Sequence, residues 1–437
     1  MLNETVPSPL LSARLSVMMF LQYAIWGAWL PILYPFLLGH RHFTLDQCGY
    51  ILAGGAAGAI IGPFIAGQVA DRWFDTEKFL GLSHLVGAAL VWILATVESF
   101  DTFLVLSVLY GVVYAPTLAL TNSLSFHHLP DRDRDFGRVR LWGTIGWIAA
   151  GIAVGQWLLL EHTPVGTEAA IQAAQDAGRA DAFRLSAVLG LVMGIYCFTL
   201  PSTPPAKNVG QENAVAEAFR YVNVQPLLTL FLLAVPISCI HQFYFVYTSE
   251  FLSKYGRDTA NTINKVFGVG GGGLMTIGQM SEILVLAGIP LVAKSVPRKT
   301  LLATGILAYA ARMALFAYTD SLATVLMGVA LHGLCFGCFI FVAFMVVDEE
   351  TPSDVRASAQ NLFNLVIVGI GIIVGSWIST SVVGNWAQET VLDASGKAVT
   401  HMNYTTLFSA PMWAAIACLV LLEAFYPKKS PAARVAA

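Results

Sequence analysis

The polar stretch PSTPPAKNVGQENAVAEAFRY, Pro201 to Tyr221, is the longest central break between apolar runs, and its reading decides the architecture. Pro201, Pro204 and Pro205 oppose helix continuation, and Lys207 and Glu212 place charge within the break. On either side of it, runs of about 20 mostly apolar residues recur, the length a helix needs to cross a bilayer's hydrocarbon core. The spacing predicts helices over 12–38, 44–71, 78–98, 101–127, 136–160 and 182–201 before the break. After it, helices are expected over 223–253, 272–294, 298–318, 320–348, 354–384 and 404–426. The expectation is an all-α membrane protein of twelve transmembrane helices. Its domains would be 1–201 and 223–437, each a six-helix bundle, joined by a linker at 202–222.

Composition supports the membrane class. Of 437 residues, 56% are hydrophobic and only 12% charged, and the mean hydropathy is +0.67, far from the balance of soluble domains. The net charge of −3 comes without a basic tract interleaved with aromatics, so no nucleic-acid partner is expected. The N-terminal segment Met1 to Pro9 is polar, and the apolar run Leu15 to Leu38 follows Arg14. No small-residue cleavage site follows a short core, so this reads as a retained first helix.

With both termini cytoplasmic, the inner segments hold fifteen Lys and Arg residues and the outer segments seven, with Arg140 and Arg312 left inside helices. That bias favours this orientation. Two outer segments exceed a simple turn. Residues 161–181, and Tyr255 to Gly273 with its glycine run, read as short surface helices, as gates, or as a loop leading into close helix packing. Cys335 and Cys338 have the two-residue spacing of redox or metal motifs but stand in an apolar helix without a second pair, so packing is the expected role. The chain carries no P-loop, G-x-S-x-G or H-E-x-x-H motif. We expect no enzyme, no cofactor and no metal, and a solute carrier driven by an ion gradient.

The two-halves layout resembles the major facilitator fold. Gly67-Gln68-Val69-Ala70-Asp71-Arg72, at the inner end of the second helix, is similar to that superfamily's G-x-x-x-D-R signature. Its Asp71 and Arg72 would latch one conformational state by pairing with a neighbouring helix. The other reading is an ordinary polar helix end.

Polar side chains within the spans are costly unless they meet a partner or a wet cavity, which makes them the candidates for function. Arg140, Thr144 and Trp147 follow at i, i+4 and i+7, placing a guanidinium, a hydroxyl and an indole on one face. A donor fork beside an aromatic plane suits a planar heterocycle; the alternative is an arginine snorkelling to lipid phosphate beside a packing tryptophan. Gln279 and Glu282 stand at i, i+3 in an apolar run. Burial disfavours the charged carboxylate, so Glu282 would exchange a proton as its surroundings alternate between wet and dry. The bland reading is a helix tie, with Arg312 as a partner. After Pro236 come Ser238, His241, Gln242, Tyr244 and Phe245. Proline frees backbone carbonyls. Gln242 and Phe245 share a face, and His241 is expected to point elsewhere in a structural role. His332 and Phe336 stand at i, i+4, and His332 is either a proton relay or a neutral hydrogen-bonding group. Gln22, Asn122 and Asn364 read as interhelical ties.

At these residues the sequence resembles the nucleoside:proton symporter family of bacterial major facilitator transporters. The stretches that carry it are FLQYAIWGAWL from Phe20 to Leu30, Ala115-Pro116-Thr117-Leu118 and RLWGTIG from Arg140 to Gly146. Gln279-Met280-Ser281-Glu282 and Arg356-Ala357-Ser358-Ala359-Gln360 complete the set. The resemblance implies substrate positions at Arg140, Thr144, Trp147, Gln242, Phe245, Gln279, Glu282, His332 and Phe336. It implies a nucleoside bound between the halves, with Glu282 the main proton carrier and His332 its helper. It also implies a multi-pass protein of the bacterial inner membrane, and we expect a monomer. Family members commonly have Phe at the place of Trp147. Well-known ones have Asn at the place of Phe245 and an acid at the place of Gly337. A sugar or polyol carrier of the same fold is the nearest alternative, since hydroxyl recognition looks much alike. A non-transporting membrane sensor is the alternative from another class.

Overall fold

The computed structural model describes residues 8–65, 74–204, 220–255, 262–352, 356–392 and 398–427. Its helices in chain order are α1 Pro9–His40, α2 Leu45–Ile65, α3 Thr76–Leu94, α4 Phe100–His128, α5 Arg132–Glu161, α6 Glu168–Gly178 and α7 Ala180–Cys197. There follow α8 Leu227–Ser253, α9 Thr262–Phe267, α10 Gly272–Val292, α11 Arg298–Tyr318, α12 Leu322–Glu350, α13 Ser358–Gly384 and α14 Tyr404–Phe425. Among the described residues, eleven helical spans are long and apolar enough to cross a membrane; α2 stands where the sequence places the second helix.

The chain forms two compact units. The first holds residues up to Asn208 together with Tyr247–Thr276, and the second holds Val209–Val246 with Ile277 onward. Helices form here because a bilayer offers backbone groups no partner but their own chain. Large apolar side chains such as Leu160, Leu284 and Leu291 stay exposed, as a lipid-facing surface requires. Polar residues start the helices: Ser8, Thr167, Ser321 and Asn403 each accept a hydrogen bond from a backbone N–H three residues on.

In the first unit α1 packs along α5, α2 along α4, and α3 along α7. The α2–α4 crossing is backbone on backbone. A Cβ at Gly58 would collide with the Gly111 carbonyl, and one at Gly111 with the Gly55 carbonyl. The polar tie expected of Gln22 is present and complete. His84 Nε2 stands 2.9 Å from Gln22 Oε1, Gln22 Nε2 donates to Thr117 Oγ1 at 2.8 Å, and Thr117 donates to the Tyr114 carbonyl at 2.6 Å. The Tyr114 hydroxyl donates to the Gln22 carbonyl. Gln22, His84 and Thr117 are all buried, so three helices share one satisfied network. Replacing Gln22 by Leu strands His84 Nε2 and removes the donor to Thr117, and an expected loss of about 1–3 kcal/mol would lower the thermal midpoint in detergent. An unchanged midpoint would show that the network adds no stability.

The segment 161–181 contains α6, the surface-helix form of the sequence expectation. Beyond it, Arg179 is fully buried. Its guanidinium pairs with Asp176, reaches Ser253 Oγ at 3.3 Å and lies 3.9 Å from Glu250 Oε2. The second long segment contains α9, and φ is positive at Gly268 and, within the glycine run, at Gly270 and Gly271. There the chain turns back against α5, with Val269 N donating to the Gly155 carbonyl at 3.0 Å.

In the second unit α11 packs on α14 and on α12. Ser238 of α8 donates to the Ile367 carbonyl of α13 at 2.6 Å. Arg298 grips Glu349 with two hydrogen bonds, at 2.6 and 3.1 Å. α8 continues as a helix through Pro236; the proline has no N–H, so the carbonyl of Leu232 lacks its helical donor there, as the sequence leads one to expect. An antiparallel hairpin, β1 Gln388–Leu392 with β2 Ala398–Met402, lies between α13 and α14 and has no counterpart in the sequence reading.

Candidate functional site

The second unit gathers the ionisable residues of four helices. From α10, the Glu282 carboxylate Oε2 lies 3.5 Å from His332 Nε2. The other ring nitrogen of His332, Nδ1, lies 3.2 Å from Arg312 Nη1 of α11. Carboxylate, imidazole and guanidinium therefore stand in line. His332 and Arg312 are buried, while the Glu282 side chain keeps 14% of its exposure.

Aromatic rings hold this line in place. The Arg312 guanidinium lies over the Tyr244 ring at 4.4 Å and near the Tyr309 ring at 5.0 Å, contacts that strengthen when water is excluded. Tyr244 stacks on His332 with centroids 4.8 Å apart, and Phe245 meets the same ring edge-on at 5.9 Å. Phe336 lies parallel to it at 6.5 Å. Past His332, α12 widens into π-helical turns over Cys335–Phe341, a form that often marks functional stretches of helix. Close approach of α10 and α12 depends on Gly278, where a Cβ would sit 2.7 Å from the Tyr244 hydroxyl and 3.0 Å from His332 Cβ.

His241 corrects a sequence expectation. Its ring packs 5.1 Å from Phe245 and 5.3 Å from His332, and its Nδ1 lies 2.7 Å from the Tyr309 hydroxyl. His241 and Phe245 are i, i+4 neighbours, closer to one face than Gln242 and Phe245 at i, i+3. Gln242 instead donates to Ser376 Oγ of α13 at 3.0 Å. Gln279 is buried beside Glu282 on α10, and among the described residues its Oε1 has no hydrogen-bond partner. A buried acceptor in that condition suits a donor on a solute.

The first unit holds the other trio. Arg140, Thr144 and Trp147 are half-buried along α5. The Arg140 guanidinium lies 4.0 Å above the Tyr23 ring, and Trp147 meets Trp26 edge-on with centroids 6.1 Å apart. Gly27 allows the close approach, since a Cβ there would stand 2.7 Å from Trp147 Cα. Tyr23 and Trp26 thus frame the α5 trio. The latch residues Asp71 and Arg72 lie outside the described residues.

Arg312, His241, Tyr244 and Tyr309 are the members the sequence reading left out of the site. Arg312 carried a signal as a cation inside a span, and His241 and Tyr244 as polar groups following Pro236; Tyr309 carried none.

Eleven apolar helical spans among the described residues, with ionisable side chains gathered within the second unit, define a polytopic membrane protein. Its structural likeness to a D-xylose-proton symporter, at a TM-score of 0.69, gives it the major facilitator fold. Residues 10–430 match the family described as nucleoside H+ symporters, and the chain belongs to that family. It is 32% identical over 381 residues to the putative nucleoside transporter YegT of Escherichia coli, covering 83% of this chain and 82% of that one. It is 29% identical over 398 residues to the xanthosine permease of the same organism, covering 88% and 90%. The crystal structure of nucleoside transporter NupG superposes with a TM-score of 0.79 at 23% identity, over 96% of this chain and all of that one.

Proposed function

We propose that this protein carries nucleosides together with protons into a bacterial cell, by alternating access across the inner membrane. Family membership supports the solute class and the proton. The observation that carries the chemistry is the carboxylate of Glu282 held against His332 within a helical bundle. A group so placed binds a proton when its surroundings are wet on one side and releases it on the other.

In this reading the twelve helices form two six-helix bundles, 1–201 and 223–437, joined by 202–222, with both termini cytoplasmic and the monomer as the working unit. Arg140, Thr144 and Trp147 grip the base by donor fork and aromatic edge. Gln242, Gln279 and Glu282 take the ribose hydroxyls, and Phe245, His332 and Phe336 form the apolar and aromatic wall. Glu282 is the proton carrier, with His332 beside it. Asp71 and Arg72 latch one state.

The test is uptake of labelled uridine and adenosine into proteoliposomes with an imposed inward proton gradient. Uptake should overshoot equilibrium with at least one nucleoside, and glucose or xylitol should not compete. Absence of gradient-stimulated uptake for every nucleoside tried would refute the reading.

A further inference from the structure

Arg312 is a permanent cation enclosed in the second unit, and the known class of reaction assigns it no task. Among the described residues, the titratable groups around it are Tyr309 on its own helix, His241 and Tyr244 on α8, Glu282 on α10, and His332 and Cys335 on α12. Of these, only Glu282 becomes an anion in the ordinary pH range. A cation withdrawn from water into such a place needs a countercharge, and the geometry supplies one route to it.

An arginine only donates hydrogen bonds. The 3.2 Å contact from Arg312 Nη1 therefore makes His332 Nδ1 the acceptor. That fixes the proton of the neutral imidazole on Nε2, the nitrogen 3.5 Å from Glu282 Oε2. Nε2–H then donates toward the carboxylate. The line reads guanidinium, neutral imidazole, carboxylate, and its net charge is zero only when Glu282 has released its proton. The rings of Tyr244 and Tyr309, 4.4 and 5.0 Å from the guanidinium, limit its freedom to turn away.

From this arrangement we propose that Arg312 is a positioning residue for proton coupling: acting through the tautomer of His332, it sets the pH at which Glu282 loads and unloads its proton. His332 is then a connector, and Glu282 the one group in the line that titrates. The proposal rests on the reading of Glu282 as proton carrier. It also bears on Gly337, where the chain offers no second carboxyl. A fixed cation does the tuning that a neighbouring acid would otherwise do with opposite sign.

The experiment measures gradient-driven uptake in proteoliposomes, with whichever of uridine and adenosine the wild type accumulates, against external pH for wild type, Arg312→Gln, Arg312→Lys, His332→Gln and the Arg312→Gln/His332→Gln double variant. An opposite charge favours the ionised carboxylate, so its removal lets Glu282 keep its proton to higher pH. Arg312→Gln should move the midpoint of the pH profile to the alkaline side by about one unit. His332→Gln should move it the same way, and the double variant no further than the larger single shift, as expected of residues acting in one line. Arg312→Lys, which keeps charge and donor, should restore the wild-type midpoint. If Arg312→Gln is not monodisperse in detergent, the lysine and His332→Gln profiles carry the test.

A midpoint that stays put in Arg312→Gln or His332→Gln, additive shifts in the double variant, or a lysine variant that fails to restore the midpoint would overturn the assignment. Absence of gradient-driven uptake of every nucleoside tried in the wild type would instead overturn the underlying reading of the function.

Discussion

Glu282→Gln abolishes uphill accumulation of nucleoside: with an inward proton gradient, the variant's uptake rises only to equilibrium, where the wild type overshoots it. The reason is thermodynamic. A gradient moves a solute only if some group binds the coupling ion differently in the two states, and glutamine does not titrate. Gln retains the shape of a neutral carboxylic acid and one acceptor oxygen. Nucleoside counterflow should therefore persist, slowed by about tenfold, the worth of one imperfectly replaced hydrogen bond. The pH dependence of that counterflow should flatten as well. Retained overshoot in the variant would move proton coupling to another group. His241 would be the next to examine, since its ring lies 5.3 Å from His332 and its Nδ1 2.7 Å from the Tyr309 hydroxyl.

The helices were legible because the bilayer leaves the chain so few solutions. Runs of apolar residues broken by Pro201, Pro204 and Pro205 could hardly fold otherwise, and the α1, α8 and α11 expectations lie within a few residues of the observed helices. The strand pair 388–392 and 398–402 escaped because every residue of β1 is exposed, so no alternation of buried and open positions marks it. In the site, Glu282 and His332 were visible as polar intruders in apolar runs. Their partnership was not, because it depends on α10 and α12 meeting at Gly278, and helix pairing is not written in the spacing of either one. Arg312 was visible as a lone cation and was offered Glu282 as a direct partner. The structure interposes His332 between them. His241 was misplaced by a choice between i+3 and i+4, a difference that decides which side chain shares a face with Phe245.

The same packing bears on the absent acid at Gly337. Gly337→Asp, which supplies the carboxyl that well-known relatives carry, should destabilise this chain instead of improving its coupling. A Cβ at Gly337 would stand 2.6 Å from Val285 Cγ1 of α10, with Leu286 Cδ2 at 3.8 Å. Valine in a helix has essentially one side-chain rotamer, so Cγ1 has nowhere to swing and the helices must part. The nearest neighbours of the new Cβ are the apolar side chains of Val285 and Leu286, and a carboxyl added at this buried position costs free energy unless it finds a partner. Overpacking and unmatched polarity together should cost about 3 kcal/mol or more, seen as a fall in the detergent thermal midpoint larger than that of Gln22→Leu. Adding Val285→Ala removes the clash but leaves the polar cost. The double variant should therefore recover part of the lost stability, and the recovered part measures the steric share. A stable, active Gly337→Asp single variant would show that α10 and α12 separate easily at this level. The glycine would then be no steric requirement, and the line from Arg312 to Glu282 would sit in a looser frame than the packing describes.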